Sequence, residues 1–481
     1  MKIAGSSSRA FFSMLVATLL SASCASSRVP YTPPSPEAPP AFKENANWKA
    51  PEPRDSVLRG AWWEVFGDVP LNALESQIDI SNQTLKGAEG AFAQARALVR
   101  GARAGLYPQV TAAPAVNAVR QSGNRAFSSF HDPFADILAP GDVSYEADVW
   151  GRVHSLVETN RTAAQASAAD LETIRLSVHS ELALDYFMLR GLDREEELLV
   201  RAVDAYERAL ELTQNRFRGG LVSQADVALA ETQLESTRAQ AVDIGVARAA
   251  LEHAIALLVG QTASTFAIRP SPLLANPPDV PTGVPSDLLE RRADVAGAER
   301  RLASANAQVG VTTAAYYPLL MLSGAAGFES SSFGSLLASA STFWTTGPAA
   351  LITVFDAGKR RSAIEQARAG YDQAFASYRE VVLSSFREVE DQLSALRILD
   401  EESKIQQNAV DASERSLTLA TNRYRGGVTS YLEVITAQSA ALSNERTAVE
   451  ILTRRMSATV LLLKGLGGTW TASQMPAITG K

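Results

Sequence analysis

The sequence Asn-Arg-Phe-Arg-Gly-Gly at residues 215–220 returns as Asn-Arg-Tyr-Arg-Gly-Gly at residues 422–427. The flanking residues repeat in the same register, since Ser223 follows the first copy at the spacing at which Ser430 follows the second. The two copies are offset by about 207 residues, whereas solenoid repeats have periods of roughly 20 to 50 residues. The repeat therefore predicts two similar halves in one polypeptide.

Proline-free helical tracts precede both copies. They cover residues 152–218 and 359–425, and each ends at a glycine pair. At 1.5 Å per residue, a helix of this length is a rod of about 100 Å. The apolar residues between 375 and 396 recur with a mean spacing of about 3.5, the period of a coiled coil. Further helices are predicted over about 223–258 and 286–315. The glycine pair at 219–220, with Ser223 positioned to cap the helix that follows, predicts a helix–turn–helix tip, and the repeat places the second tip at 426–427.

Alternation of polar and apolar residues predicts two strands in each half. Residues 142–149, Asp-Val-Ser-Tyr-Glu-Ala-Asp-Val, alternate strictly, which indicates a strand with one apolar and one polar face. The segment between the first two strands contains Pro140 and Gly141 and is predicted to be a loop. The four predicted strands cover about 108–120, 141–150, 318–328 and 345–356.

The N-terminus has the features of an export signal. In residues 1–23 two basic residues precede an apolar run that is shorter than the about 20 residues of a spanning helix, which predicts a secretory signal peptide. Cys24 is the only cysteine and stands where cleavage is expected, which predicts lipidation of Cys24. The alternative is an ordinary exported protein with an incidental cysteine. Ser21, which stands where lipoprotein signals usually have leucine, favours that alternative.

The composition of the chain argues about its partners, and the sequence pattern divides it into segments. The formal net charge of −7 is mildly acidic and argues against nucleic acid as a partner. Residues 24–60 are rich in proline and predict an extended, lipid-anchored tether. The remaining divisions are a first repeat at 61–270, a linker at 271–285, a second repeat at 286–468 and a C-terminal tail at 469–481.

Four amphipathic strands in an exported chain need either a closed core or a membrane. In lipid a sheet must close into a barrel, and the smallest barrels have about eight strands, so one chain cannot form one alone. Two chains would give a barrel of about eight strands, whose interior is filled by side chains, whereas three chains would give about twelve strands, which can leave a lumen. The alternative is a small sheet packed on the helices of a monomer.

Several motifs resemble those of the TolC/OprM-type outer-membrane efflux channels, in particular the NodT-like lipoprotein subgroup. Residues 62–68, Trp-Trp-Glu-Val-Phe-Gly-Asp, resemble the N-terminal signature of that family. Residues 285–294 are similar to its central motif, although Ala293 replaces the usual proline. Residues 148–152 and 355–359 resemble its two strand-to-helix junctions. The resemblance covers essentially the whole mature chain.

The resemblance implies a mainly α protein with membrane β, in which a trimeric, twelve-stranded β-barrel continues into an α-helical coiled-coil tunnel. The implied location is the outer membrane of a Gram-negative bacterium, with extension into the periplasm. The implied partners are two further copies of the chain, a periplasmic adaptor protein and an inner-membrane RND-type transporter.

The resemblance also implies where the functional residues lie. Leu432 and Thr436 correspond to the family's closed periplasmic entrance, with Thr436 in place of the usual aspartate. The tips that would dock the adaptor comprise Arg216, Arg218, Gly219, Gly220, Ser223, Arg423, Arg425, Gly426, Gly427 and Ser430.

The sequence contains no pattern that predicts an enzyme. The four histidines are scattered, with no spacing that would place two on one helix face as metal ligands. No phosphate-binding loop or activated nucleophile is recognisable, so no cofactor, metal or catalytic residue is predicted. The expected function is a passive exit duct for small toxic compounds in a tripartite efflux pump. The alternatives are the outlet of a type I protein secretion system and, from another class, a structural coiled-coil envelope lipoprotein.

Overall fold

The computed structural model describes residues 30–34, 39, 41–44, 61–120, 122, 124, 133–273, 276–278, 280, 291–468, 475–476 and 478. The predicted signal peptide, Cys24, residues 285–290 of the central motif and most of the predicted tail lie outside the described residues. Within them the strands are β1 Gln109–Ala112, β2 Ala115–Val119, β3 Phe134–Glu146, β4 Leu319–Ser330 and β5 Thr342–Leu351. The helices are α1 Val69–Ser81, α2 Gln83–Ala104, α3 Arg152–Arg218, α4 Gln224–Leu258, α5 Ala293–Ala314, α6 Lys359–Arg425 and α7 Tyr431–Gly465, and a 3₁₀ turn covers Trp62–Phe66.

The two halves have rods of equal length. Helices α3 and α6 contain 67 residues each, and α4 and α7 contain 35 each. The long rods have the bounds that the proline-free tracts predict. Each begins after a glycine in the left-handed region, Gly151 at φ +79° and Gly358 at φ +90°, a conformation that a side chain would strain. None of the helices in the described ranges is both long and apolar enough to cross a membrane.

The main core lies at mid-rod, where the ends of shorter elements meet α3 and α6. Leu182, Tyr186 and Phe187 of α3 are almost fully buried there, together with Leu71 of α1 and Val460 of α7. Burial of such side chains contributes about 1.5 to 3 kcal/mol each, so this layer holds both halves together.

Buried charges fix the chain where the first half ends. The Asp193 carboxylate on α3 accepts hydrogen bonds from Arg190 and Arg248 and from the backbone N–H of Ser271, at 3.0, 2.7 and 2.8 Å. Arg248 also donates to the Ile268 carbonyl at 2.8 Å. The start of the predicted linker is therefore bound to the α3–α4 pair.

The predicted tether packs on the rods where it is described. Phe42 is buried in the main core, and the Tyr31 hydroxyl donates to Glu299 of α5 at 2.6 Å. The Glu390 carboxylate on α6 accepts the backbone N–H groups of Lys43 and Glu44 at 2.7 and 3.1 Å. These stretches differ from a free tether because their aromatic side chains gain burial and their backbone donors gain a carboxylate.

The strands form one antiparallel sheet in which β3 pairs with β4 and β4 with β5, while β1 and β2 both pair with the other edge of β3. The pairing joins the halves of the chain, since β3 belongs to the first repeat and β4 to the second. The first predicted strand, 108–120, is divided into β1 and β2, although both keep one register with β3. The division falls at Ala113 and Pro114, opposite Ala139 and Pro140, and proline has no N–H to donate to the ladder.

The predicted start of the second strand, at residue 141, is wrong. Strand β3 begins at Phe134, so part of the predicted loop is strand, and it ends at Glu146 instead of residue 150. Pro140 and Gly141 indicate a turn locally, but Pro140 lies opposite Gly327, where a Cβ atom would come within 2.3 Å of the Ala139 carbonyl oxygen. The missing side chain of Gly327 lets the strands approach at this point.

The ends of the strands are set by the caps of the long rods. The Asp148 carboxylate accepts the N–H groups of Val153 and His154 at 2.9 Å each, so residues 147–150 turn into α3 instead of continuing β3. Asp356 accepts the N–H of Gly358 in the same way at 3.1 Å. Accordingly β5 ends at Leu351 and not at 356. Its start at Thr342 instead of 345, and the bounds of β4 at Leu319–Ser330 instead of 318–328, agree with the β4–β5 ladder, which pairs Leu319 with Leu351 and Phe328 with Thr342.

Candidate functional site at the helix tips

Both turns between a long rod and its partner helix are built around a glycine with positive φ. Gly220 has φ +73° and Gly427 has φ +74°. In the first tip (residues 215–226) the Leu221 N–H donates to the Arg216 carbonyl at 2.9 Å. In the second tip (residues 422–433) the Val428 N–H donates to the Arg423 carbonyl at 3.0 Å. These bonds satisfy carbonyls that the helix end leaves unpaired.

The two tips begin their second helices differently. In the first tip, Ser223 and Asp226 form a capping box: the Ser223 hydroxyl accepts the Asp226 N–H at 3.3 Å, and the Asp226 carboxylate accepts the Ser223 N–H at 3.0 Å. In the second tip, Ser430 has the N-cap position but makes no side-chain capping hydrogen bond. Glu433 there lies 3.2 Å from the Arg423 guanidinium.

Arg216 joins the two tips. Its Nη1 donates to the Tyr424 carbonyl oxygen at 2.5 Å, and the centre of its guanidinium lies 4.7 Å from the centroid of the Tyr424 ring. The Tyr424 hydroxyl in turn donates to the Thr213 hydroxyl of α3 at 3.2 Å. Arg216 of α3 thus caps the C-terminus of α6. The helix dipole of α6 also favours a cation at that end.

An apolar cluster fills the space between the tips. Tyr424, Tyr431, Val434 and Ala230 are buried together, and the two tyrosine rings lie 5.2 Å apart. Burial raises the pKa of the Tyr431 hydroxyl to about 12, so it remains neutral at physiological pH. The tips of one chain are therefore a packed unit.

The predicted entrance residues lie on the first turns of α7. The Leu432 side chain is 57% exposed, and its counterpart Leu229 in the first copy is 39% exposed. The Thr436 hydroxyl donates to the Leu432 carbonyl at 2.9 Å, so its side chain folds back on its own helix. More than half of the Leu432 side chain is therefore an apolar surface left uncovered by the described part of the chain.

The structure brings together most of the predicted tip residues but gives them unequal surroundings. Arg218 and Arg425 are exposed, Arg216 is half-buried between the tips, and Arg423 pairs with Glu433. The predicted lipidation site Cys24 lies outside the described residues.

Sequence reasoning missed Tyr424 and Tyr431. A signal for both was present, because they replace Phe217 and Gln224 at corresponding positions of the first copy. Such differences between copies mark the places where the two tips make different contacts.

The described residues contain no group of three or more histidine, cysteine or acidic side chains that could hold a metal ion. His154 lies beside Asp148 at a helix start, and His179 is buried beside Glu75. The arrangement at the tips offers packing, capping and exposed charge, which suit a conformational or docking role.

Comparison with known proteins identifies the class. The fold matches that of the outer-membrane channel OprN with a TM-score of 0.85 and 28% identity, covering 92% of this chain and 99% of that one. The chain is 30% identical over 425 residues to the solvent efflux pump outer membrane protein SrpC of Pseudomonas putida, covering 85% of this chain and 88% of SrpC. It is likewise 30% identical to the outer membrane protein OprJ of Pseudomonas aeruginosa over 85% of this chain and 86% of OprJ. The protein is thus a TolC-like outer-membrane channel.

The family model for outer membrane efflux proteins matches residues 74–261 and 284–468, one match in each half. The chain belongs to the outer membrane efflux protein family. It is an efflux channel of the outer membrane that extends into the periplasm, and it is a passive channel, not an enzyme.

Proposed function

We propose that three copies of this chain form the exit duct of a tripartite efflux pump for small toxic compounds. The observation that supports the proposal is a sheet with two open edges that continues into long helices with rows of exposed apolar side chains. In an isolated copy the sheet edges lack partner strands and the apolar rows face solvent, whereas a closed ring of copies would pair the edges and bury the rows.

The sheet supplies the first argument for a ring. Within the described residues, the outer edges of β1–β2 and of β5 have no partner strand. Open edges leave backbone donors and acceptors unpaired, which is not tolerated in lipid. Since β1 and β2 share one register, each chain contributes four strands in effect, and three chains would give a barrel of about twelve strands.

The rods supply the second argument. On α6 the side chains of Ile398, Ile405 and Leu419 are 51%, 63% and 63% exposed and follow a seven-residue spacing with Ala412. On α4, Val242 and Val246 are 78% and 72% exposed. Such rows of exposed apolar side chains are typical of coiled-coil interfaces. They support contacts between α6 of one copy and α4 of the next.

The cargo class is taken from the relatives. Their names refer to solvent, toluene and antibiotic efflux, which supports small toxic compounds as the cargo here. The transporter that selects and drives the cargo would be an inner-membrane RND-type pump. The tips would receive a periplasmic adaptor, and the exposed Arg218 and Arg425 are the best placed of the tip residues to contact it.

Leu432 and Thr436 would form the closed entrance, with Leu432 as the apolar ring. Thr436 has no charge, so this entrance would lack a carboxylate latch. Opening would require the two tips to move relative to each other or to the tips of neighbouring copies. The Arg216–Tyr424 contact would resist movement within a chain, and adaptor binding would have to supply a differential contact that favours the open state.

Cys24 would carry the lipid that anchors the N-terminal segment to the outer membrane. Mass spectrometry of the mature N-terminus tests this: an acylated Cys24 is expected, and an unmodified Cys24 would contradict it.

Two measurements test the function. The purified protein in a planar bilayer should conduct ions, and an absence of conductance would favour an envelope spacer. Deletion of the gene should sensitise the cell to solvents or antibiotics while leaving protein toxin export intact. Loss of protein export alone would favour the type I secretion outlet.

A further inference from the structure

Three carboxylates of the segment 68–79 are matched to three side chains of α3 along an antiparallel seam. The spacing is the same on both sides, seven residues and then four, so each acid lies opposite one of the three side chains. The three pairs are Asp68 with the Tyr186 hydroxyl at 2.8 Å, Glu75 with His179 Nδ1 at 2.7 Å, and Asp79 with Arg175 Nε at 3.4 Å.

The middle pair is the only one of the three in which both side chains are fully enclosed. The Glu75 and His179 side chains are 0% and 3% exposed, whereas Asp79 is 51% exposed. The ring of Trp63 stacks on the His179 ring at 4.4 Å with an interplanar angle of 14°. No donor in the described part of the chain lies within hydrogen-bonding distance of Glu75 Oε1. A carboxylate with one unpaired buried oxygen is costly in its charged form.

The geometry requires a proton between the two groups. Oε2 of Glu75 and Nδ1 of His179 are 2.7 Å apart, and Nε2 of His179 faces Asp79 Oδ1 at 3.6 Å. When Glu75 is protonated it donates to Nδ1, and the Nε2–H then points toward the Asp79 carboxylate. When that proton is lost, a neutral His179 can donate to only one of the two acids, and the other faces a lone pair. The other charged groups facing this seam are Arg175 and Glu172 of α3, which pair with each other at 2.6 Å.

We propose that Glu75 and His179 form a proton-linked clasp that fastens the segment Trp62–Ser81 to α3 and loosens when the periplasm becomes alkaline. The segment leads from the N-terminal stretch that packs on α5 and α6 into α2 and the first strand. The clasp therefore controls how firmly the N-terminal part of the chain is held to the mid-rod core.

The direction of the pH effect follows from the shift in the pKa of Glu75. Burial raises the pKa of Glu75 from 4.5 to about 7, while its contact with His179 acts in the opposite direction. When folding raises the pKa of a group, protonation of that group stabilises the folded state. The stabilisation is complete at a pH below the pKa in the unfolded state, and it is lost as the pH rises through the pKa in the folded state. The clasp is therefore tightest below about pH 4.5 and weakens progressively up to about pH 8, and about a tenfold increase in the opening equilibrium falls between pH 6 and pH 8.5.

Hydrogen exchange of the α1 amides in the full-length protein in detergent tests the proposal. After correction for the intrinsic exchange rate, protection of α1 should fall about tenfold between pH 6 and pH 8.5, whereas protection at mid-α6 should not change. The E75Q variant keeps the shape of the side chain without its charge, so its α1 protection should be independent of pH.

Asp185 supplies a matched control. It lies on the same helix, and burial and the nearby Glu181 raise its pKa to about 6, but it is not part of the seam. The D185N variant should retain the pH profile of the unmodified protein at α1. A flat profile in the unmodified protein would overturn the proposal whether or not E75Q folds, and so would an E75Q profile that still falls with pH.

Discussion

The two helix tips share a six-residue sequence and a backbone turn, yet they make different contacts. The first tip is capped by its own Ser223–Asp226 box and extends Arg216 to its neighbour. The second tip receives Arg216 at the carbonyl of Tyr424, and its own arginine, Arg423, pairs locally with Glu433. The residues shared by the copies determine the turn, while Arg216 and Arg423, although equivalent, contact partners that differ between the copies: Tyr424 replaces Phe217 and Glu433 replaces Asp226. A duplicated element can thus provide, within one chain, one tip that is capped by its own residues and a second tip that is capped by an arginine of the first.

The largest expected effect is that of Arg216→Ala. This change removes a hydrogen bond from a charged group to the end of α6, which contributes about 2 kcal/mol, so the open fraction of the entrance should increase more than tenfold. Single-channel recording in a planar bilayer measures this open fraction. The matched change Arg423→Ala removes only an exposed ion pair of about 0 to 1 kcal/mol and should have little effect. Equal effects of both changes would show that the tips are equivalent after all.

Leu432→Ser tests whether the second copy alone forms the constriction. Loss of an apolar ring should raise the leak conductance of the isolated protein several-fold, because a polar side chain admits water and ions. Leu229→Ser is the corresponding change in the first copy and should leave the conductance near its original value. Unchanged conductance in Leu432→Ser would remove Leu432 from the constriction.

The capping difference predicts a smaller effect. Ser223→Ala should destabilise the first turn of α4 by about 1 kcal/mol, because it removes the capping box. Ser430→Ala should change α7 much less, since Ser430 makes no side-chain capping bond. Hydrogen exchange at Ala225–Ala228 and at Leu432–Ile435 measures both, and equal loss of protection would contradict the distinction.

The smallest effect is expected from the exposed charges. Arg425→Glu should weaken capture of the adaptor in a pull-down assay by several-fold, and more at low salt, because exposed charges contribute about 1 kcal/mol or less. Comparison with Arg218→Glu shows whether the adaptor prefers one tip. Normal recovery of the adaptor with both variants would contradict a docking role for these arginines.

The parts of the structure that depend on local signals could be predicted from the sequence. The bounds of α3 and α6 follow from glycine at either end and from the absence of proline between. The start of β3 could not be predicted in this way, because Pro140 and Gly141 indicate a turn until Gly327 is seen opposite them. Strand pairing between distant residues overrides the local preference there.

The same distinction applies to the site. The positions of the tips and of Leu432 followed from the repeat and from the family resemblance. The Arg216–Tyr424 contact joins residues that are far apart in the chain. The replacement of Phe217 by Tyr424 marks the position as different between the copies but does not indicate its partner. The capping difference could not be predicted from Ser223 and Ser430, which are identical residues at corresponding positions. It coincides with the replacement of Asp226 by Glu433 in the second copy.

The crowded crossing of Ala139 and Pro140 with Gly327 has a consequence for biogenesis. The whole of α3, α4 and α5 is synthesised after β3 and before β4, so the edge of β3 that pairs with β4 stays open in that interval, although β1 and β2 can already pair with the other edge. An exposed strand edge in that interval invites pairing with unrelated chains. Since a Cβ atom opposite this point would collide with the Ala139 carbonyl, an arriving strand fits in register only if it has glycine there. The crossing thus discriminates against foreign strands until the second half of the same chain arrives.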